Sequence, residues 1–281
     1  MIDLHTHTNE SDGTLTPLEL VERALALPLE ALAISDHDTF AGYDQAVRPA
    51  RAQGLDLVCA IEVNTRMAGE RRRAIHLLGY FLKDPPSFEF RTWLQELLAA
   101  RRDRNLRLAA RLQAMGVEIE LSEVERIGRT LTGRPHFARV LVQKRYAANS
   151  EEAFRKYLGE SAPAYVERQG PHVAMGIQQI IAAGGLAVLA HPVRLGVRDP
   201  DAEAALIGEL RDAGLGGIEV YHSDHQPSDV ERYARIAKKY ALAVSGGSDF
   251  HGDAKPRVAL GTGVNGQLNI PRSVLDKLRK A

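Results

Sequence analysis

A chain of 281 residues, 44% of them hydrophobic, is long enough for one large α/β domain with a modest insertion. Lys+Arg and Asp+Glu both number 36, so the formal net charge is zero, which excludes a global basic field for gripping long nucleic acid. The single cysteine, Cys59, excludes a disulfide framework and a Cys-rich zinc site, while the lack of a membrane-length apolar run and of a signal-peptide pattern predicts a cytoplasmic protein with no membrane association.

Short apolar runs then alternate with amphipathic stretches, the rhythm of a parallel sheet or barrel. IDLHTH reads as the first strand. TPLELVERALAL follows as a helix with Thr16 at the N-cap, Pro17 at the first helical position and Glu19 completing a capping box. ALAIS is a second strand running into DHDT, and YDQAVRPARAQG is a helix with Pro49 inside its pattern and Gly54 as its stop. LDLVCAIEV and RAIHLLGYF are two more strands with no helix between them, and Cys59 reads as a buried core thiol. At KDPPS the pattern changes. Phe88 to Met115 reads as one long helix or two, with Arg91, Arg101, Arg102, Arg104, Arg107 and Arg111 on a solvated face. LSEVERIG, PHFARVLVQKRY and SEEAFRKYLG are shorter helices, so residues 84–165 are assigned to a helical insertion. The alternation resumes with helix HVAMGIQQIIAAGG, strand LAVLAHP, helix DAEAALIGELRDAG, strand GGIEVYHS, helix PSDVERYARIAKKY and strand ALAVSGGSDFH, and PRSVLDKLRK is a closing helix. Residues 1–83 and 166–281 are thereby assigned to one barrel domain.

Each predicted strand carries residues that bind metals or move protons: His5 and His7; Asp36 and His37; Glu62; His76; His191; Glu219 to His222; Asp249 and His251. A barrel gathers its C-terminal strand ends on one rim, where active sites form. His5 and His7 alternate by two residues and share one side of a strand, a spacing suited to chelation. Mixed imidazole and carboxylate donors suit Zn, Mn or Fe(II) better than Mg or Ca. At about three to four protein ligands per ion, the candidates His5, His7, Asp12, His37, Glu62, His76, His191, Asp249 and His251 suit two or three divalent ions. His136, His172 and His225 fall in helix or loop contexts and read mostly as structural, and His222 is ambiguous.

These residues resemble the motifs of the PHP (polymerase and histidinol phosphatase) domain family. DLHTHT with SDG, then SDHDT, Glu62 in IEV, His76 in IHLLGY, AHP at 190–192 and GSDFH at 247–251 follow the family order. The resemblance implies a distorted (β/α)7 barrel, an α/β fold, with a helical insertion subdomain that caps the substrate. It also implies three metal positions: His5, His7, Glu62 and Asp249; Glu62, His76 and His191; and Asp12, His37 and His251. GRPHFARVLV, FRKYL with PAYV, and AHPVR are similar to a stand-alone subgroup that removes the 3'-phosphate of 3',5'-nucleotide bisphosphates, some members of which trim short RNA from the 5' end.

The implied chemistry is hydrolysis of pAp to AMP and phosphate by a hydroxide bridging two ions, manganese first. A substrate with two phosphates needs a second anion site, for which Arg134 comes first and His136, Lys144 and Arg194 follow. His222 is the candidate proton donor to the leaving oxygen, in competition with Tyr221 and a metal-bound water. Rival readings are a 5'-to-3' exoribonuclease on short RNA, a histidinol phosphate phosphatase, a metal-dependent amidohydrolase and a non-catalytic PHP module. No obligate protein partner is expected.

Overall fold

Alternation of apolar side chains builds the barrel wall. The computed structural model describes residues 1–67, 74–167 and 170–280. Its main sheet runs β1 (Ile2–Asp3), β2 (Ala31–Ile34), β3 (Asp56–Arg66), β4 (Ala74–Phe81), β5 (Leu186–Leu189), β6 (Gly217–His222) and β7 (Ala243–Gly247), hydrogen-bonded in that spatial order. Arg73, the first residue of the predicted fourth strand, lies outside the described residues. Every second side chain faces the interior: Ile2 and Leu4, Ala31 and Ala33, Val58 and Ala60, Leu78 and Tyr80, Val188 and Ala190 form one buried cluster. Burying a large apolar side chain of this kind contributes about 1.5–3 kcal/mol. Tyr80 is fully enclosed, and its hydroxyl donates to the Leu4 carbonyl at 2.9 Å.

The barrel closes where β7 meets the segment after β1. Leu4 N donates to Gly246 O at 3.2 Å, Asp249 N to His5 O at 2.8 Å and His7 N to Phe250 O at 2.9 Å. This approach requires glycine at 247, because a Cβ there would lie 2.3 Å from His5 N. The far end is plugged by α10 (Arg272–Leu278), whose Val274, Leu275 and Leu278 join the interior cluster.

Three details differ from the sequence expectation. β4 runs antiparallel to both β3 and β5, so His76 enters the upper rim from the start of its strand rather than the end. Regular pairing in β1 stops at Asp3, because the chain from Leu4 onward turns to bond with β7. A short hairpin of β8 (Val258–Ala259) and β9 (Gly263–Val264) was not anticipated, its strands being too short to show periodicity.

The outer helices of this unit are α1 (Pro17–Leu25), α2 (Ala41–Ala52), α7 (Val173–Ala182), α8 (Pro200–Asp212) and α9 (Pro227–Lys239). The Thr16 and Glu19 capping box is formed, and Pro49 sits inside α2. Contacts divide the chain into Met1–Arg91 with Pro171–Ala281, and Thr92–Gly170. Phe90 and Arg91 belong to the first unit, where Phe90 packs near Phe40 and Phe81 and Arg91 pairs with Asp44 at 2.7 Å.

The second unit takes up most of α3 (Phe88–Ala114), with α4 (Leu121–Gly128), α5 (Arg134–Gln143) and α6 (Ser150–Ala153) running into a π-turn over Phe154–Leu158. Leu108, Leu112, Val124, Phe137, Leu141 and Leu158 form its core. Its arginines are not all solvated. Arg102 pairs with Glu125 and Arg107 with Asp103 at the surface, but Arg104 is buried. Burial, with Arg101 and Arg134 alongside, pushes the Arg104 guanidinium down to about 10.

Candidate metal centre

The inward alternation of the strands continues past the apolar core into polar residues. On β3, Val58 and Ala60 are followed by Glu62. On β4, Tyr80 and Leu78 lead back to His76. After β2, Ala33 and Ser35 lead to His37. One carboxylate therefore stands at the mouth of the barrel with imidazoles from several strands turned toward it. Glu62 Oε2 lies 3.1 Å from His5 Nε2, 3.0 Å from His7 Nε2 and 3.4 Å from His37 Nδ1. Its Oε1 lies 2.8 Å from His76 Nδ1 and 2.9 Å from His191 Nε2. Asp249 Oδ1 faces His5 at 3.6 Å, His7 at 3.5 Å and His251 at 3.4 Å. Asp12 joins from the other side, 3.2 Å from His251 Nε2, 3.6 Å from His7 Nδ1 and 3.7 Å from His37 Nε2.

Among the described residues, four groups hold their donor atoms close enough for a shared ion: His7, Asp12, His37 and His251; His5, His7, Glu62 and Asp249; His37, Glu62 and His76; and His5, Glu219 and His222. The donor set fits divalent cations. His7 Nε2 is buried without a hydrogen-bond partner although Glu62 lies 3.0 Å away, as is His222 Nε2 3.4 Å from Asp249. An ionised carboxylate only accepts, so the nitrogens crowding Glu62 must each carry a proton or share a cation.

The electrostatics describe the same demand. Burial favours neutral acids, yet the facing imidazoles hold Glu62 and Asp249 well below the carboxylate range, and hold Asp12 below it too. Burial pushes His7 down, but Asp249 and Glu62 override it and raise the ring to about 9; Glu219, Glu62 and Asp249 likewise override burial and raise His5. Burial wins at His37, held at about 4, and at His191, held at about 3. Glu62, Asp249 and Asp12 therefore stay ionised among these rings, the state in which a carboxylate can hold a cation.

Three supporting residues stand outside the predicted ligand set: Glu219 and Asp36, which the sequence marked at strand ends without a role, and Asp3, which it did not mark. Glu219 accepts from His5 Nδ1 at 3.0 Å and from His191 N at 2.7 Å, which fixes His5 with Nε2 toward Glu62. Asp36 accepts from Thr8 N and Thr8 Oγ1, each at 2.7 Å, and from Ser11 Oγ at 2.6 Å, shaping the loop that presents Asp12. Asp3 accepts from Ser248 N at 2.8 Å and Ser248 Oγ at 2.6 Å, beside Asp249. The available signal was adjacency: Asp3 and Asp36 flank predicted ligands in DLH and DHD. The backbone is strained here as well. His191 has φ 28° and Asp249 φ 58°, conformations that point to local over-determination rather than propensity.

The remaining predicted residues separate by unit. Arg194 Nη2 reaches Asp249 Oδ2 at 2.8 Å and His222 Nε2 faces the same oxygen at 3.4 Å. Tyr221 packs against the barrel's interior cluster. In the helical unit, Arg134 donates to Leu158 O at 3.2 Å and lies over the Tyr165 ring. His136 Nδ1 accepts from Gly133 N at 3.0 Å at the start of α5, and Lys144 is held by Glu123 at 2.7 Å. His172 caps α7, and His225 Nδ1 donates to Val220 O at 2.8 Å.

The PHP domain family model matches residues 3–244. The chain belongs to the PHP family. This PHP chain is 35% identical over 250 residues to a 5'-3' exoribonuclease of Haemophilus influenzae, covering 89% of both. It is 34% identical over 252 residues to a 3',5'-nucleoside bisphosphate phosphatase of Chromobacterium violaceum, covering 89% of this chain and 87% of that one. A solved Bifidobacterium adolescentis protein, assigned as a metal-dependent phosphoesterase, matches with a TM-score of 0.79 at 31% identity, over 98% of this chain and 94% of that one. The PHP chain is accordingly a metal-dependent phosphoesterase in a barrel of seven strands. Among the described residues no helix is long and apolar enough to cross a membrane.

Proposed function

We propose that this PHP phosphoesterase removes the 3'-phosphate of 3',5'-nucleotide bisphosphates, converting pAp to AMP and phosphate in the cytoplasm. The convergence of His5, His7, Asp12, His37, Glu62, His76, His191, Asp249 and His251 on one barrel mouth carries the reading. In it, His5, His7, Glu62 and Asp249 would hold one ion, Glu62, His76 and His191 a second, and Asp12, His37 and His251 a third. Two or three bound divalent ions, manganese first, supply Lewis acidity and lower the pKa of coordinated water to near 7.

The chain's own residues supply the rest. His222 Nδ1 accepts from Asp224 N at 3.0 Å, so its proton sits on Nε2, which faces Asp249 and is suited to meet a leaving oxygen. Arg194 is anchored to Asp224 at 2.6 Å and directs its fork at the cluster. Within the helical unit Arg134 is the candidate for anion binding, its planar guanidinium suiting a bidentate grip with Arg104 alongside. The likeness to the Chromobacterium violaceum enzyme supports this substrate. The likeness to the Haemophilus influenzae enzyme favours a second reading, 5'-to-3' trimming of short RNA at the same centre.

The test is phosphate and nucleotide release by manganese-loaded protein from pAp, AMP, histidinol phosphate and a 5'-phosphorylated short RNA. Phosphate release from pAp well above that from AMP is expected. Turnover of histidinol phosphate alone overturns the substrate, and mononucleotide release from RNA without pAp turnover selects the second reading.

A further inference from the structure

Asp249 divides its two oxygens between different surroundings. Oδ1 looks inward to the imidazoles, while Oδ2 meets Arg194 Nη2 at 2.8 Å and Lys255 Nζ at 2.6 Å. The carboxylate is buried, whereas the Lys255 side chain that reaches it is 33% exposed. Arg194 is already committed to Asp224 through Nε at 2.8 Å. Lys255 Nζ bonds Asp249, and an ammonium has three N–H bonds to give.

The backbone presents this side chain rigidly. Lys255 follows the turn Gly252–Ala254 that begins at His251, and Lys255 N donates to Gly252 O at 3.1 Å. Asp253 N donates to Thr14 Oγ1 at 2.9 Å, which ties the turn to the loop carrying Asp12. Gly252 has φ +64°, and a Cβ there would lie 2.1 Å from Thr14 Oγ1, so only glycine lets the turn seat. A phosphoryl dianion approaching a mouth lined by Asp12, Glu62 and Asp249 needs a cation at the rim, and the Lys255 ammonium is a compact one in position.

We propose that Lys255 is a substrate-binding residue, its ammonium taking a non-bridging oxygen of the scissile phosphoryl group beside Arg194. This rests on the phosphoesterase reading but not on the bisphosphate substrate. Manganese-loaded wild type, Lys255→Met and Lys255→Arg are compared in metal content, in inorganic phosphate affinity by calorimetry, and in kcat and KM for p-nitrophenyl phosphate. Lys255→Met is expected to keep its manganese, to bind phosphate about tenfold or more weakly and to raise KM in parallel, with partial recovery in Lys255→Arg. Unchanged phosphate affinity overturns the proposal. So does loss of manganese from Lys255→Met, which makes the lysine a brace for Asp249, and so does a wild type that binds no phosphate. A wild type that binds phosphate through Lys255 but hydrolyses no phosphomonoester contradicts the proposed function and leaves the lysine assignment standing.

Discussion

Glu219 bonds one candidate ligand through its ring and another through its backbone, His5 Nδ1 at 3.0 Å and His191 N at 2.7 Å. Burial alone would raise its carboxyl, but His5 and His222 hold it at about 2, so it is a charge throughout the working range. Such a carboxylate fixes the ring's tautomer and aim. Glu219→Gln keeps the shape and removes the charge. Its manganese affinity, measured by equilibrium dialysis, is expected to fall about 10- to 100-fold with the fold intact by circular dichroism; unchanged affinity would mean Glu219 only packs. At this scale the sequence was most informative where histidines recurred at one strand after another: His5, His7, His76 and His191 stood out by their co-occurrence, and all four face Glu62. Glu219 was marked only as a strand-end residue without a role, because it acts through a neighbour, and Lys255 was not marked, because it lies on an irregular turn with no periodic pattern.

Elements aim these residues, and their ends are where sequence signals succeeded or failed. The α1 capping box formed because Thr16 and Glu19 satisfy backbone groups locally, without help from the rest of the fold. The direction of β4 was not legible, since an antiparallel and a parallel buried strand carry the same apolar run. At the opposite end of the barrel, α10 is clamped to the start of β3. Asp56 accepts from Arg279 at 2.8 and 2.9 Å and from Arg272 at 2.5 Å. Burial raises the Asp56 carboxyl, but Arg279 and Arg272 outweigh it and lower its pKa. A lowered carboxyl adds stability above its unfolded pKa of about 3.9 and loses it as pH falls through the folded value. Asp56→Asn is therefore expected to cost about 1 kcal/mol in urea unfolding at pH 7, and the gap from wild type should close as pH drops below about 4. A gap that persists undiminished at low pH would assign the effect to packing.

At the scale of the whole molecule, residues from position 5 to position 251 meet because the sheet curls until the segment after β1 bonds with β7. Barrel closure follows from the alternation of apolar residues and the close approach at Gly247, and the donor cluster follows from barrel closure. The seven strands were legible for that reason: one apolar face repeated along the chain specifies a common interior. The division near Thr92 and Gly170 was less sharply marked, because α3 runs through one boundary as a continuous helix. The most direct test of the account is an anomalous-scattering map from crystals of manganese-loaded protein. Peaks are predicted beside Glu62, in the groups it forms with His5, His7 and Asp249 and with His76 and His191, and a further peak among Asp12, His37 and His251. A map with no peak at Glu62, or with manganese bound only away from the barrel mouth, would contradict it.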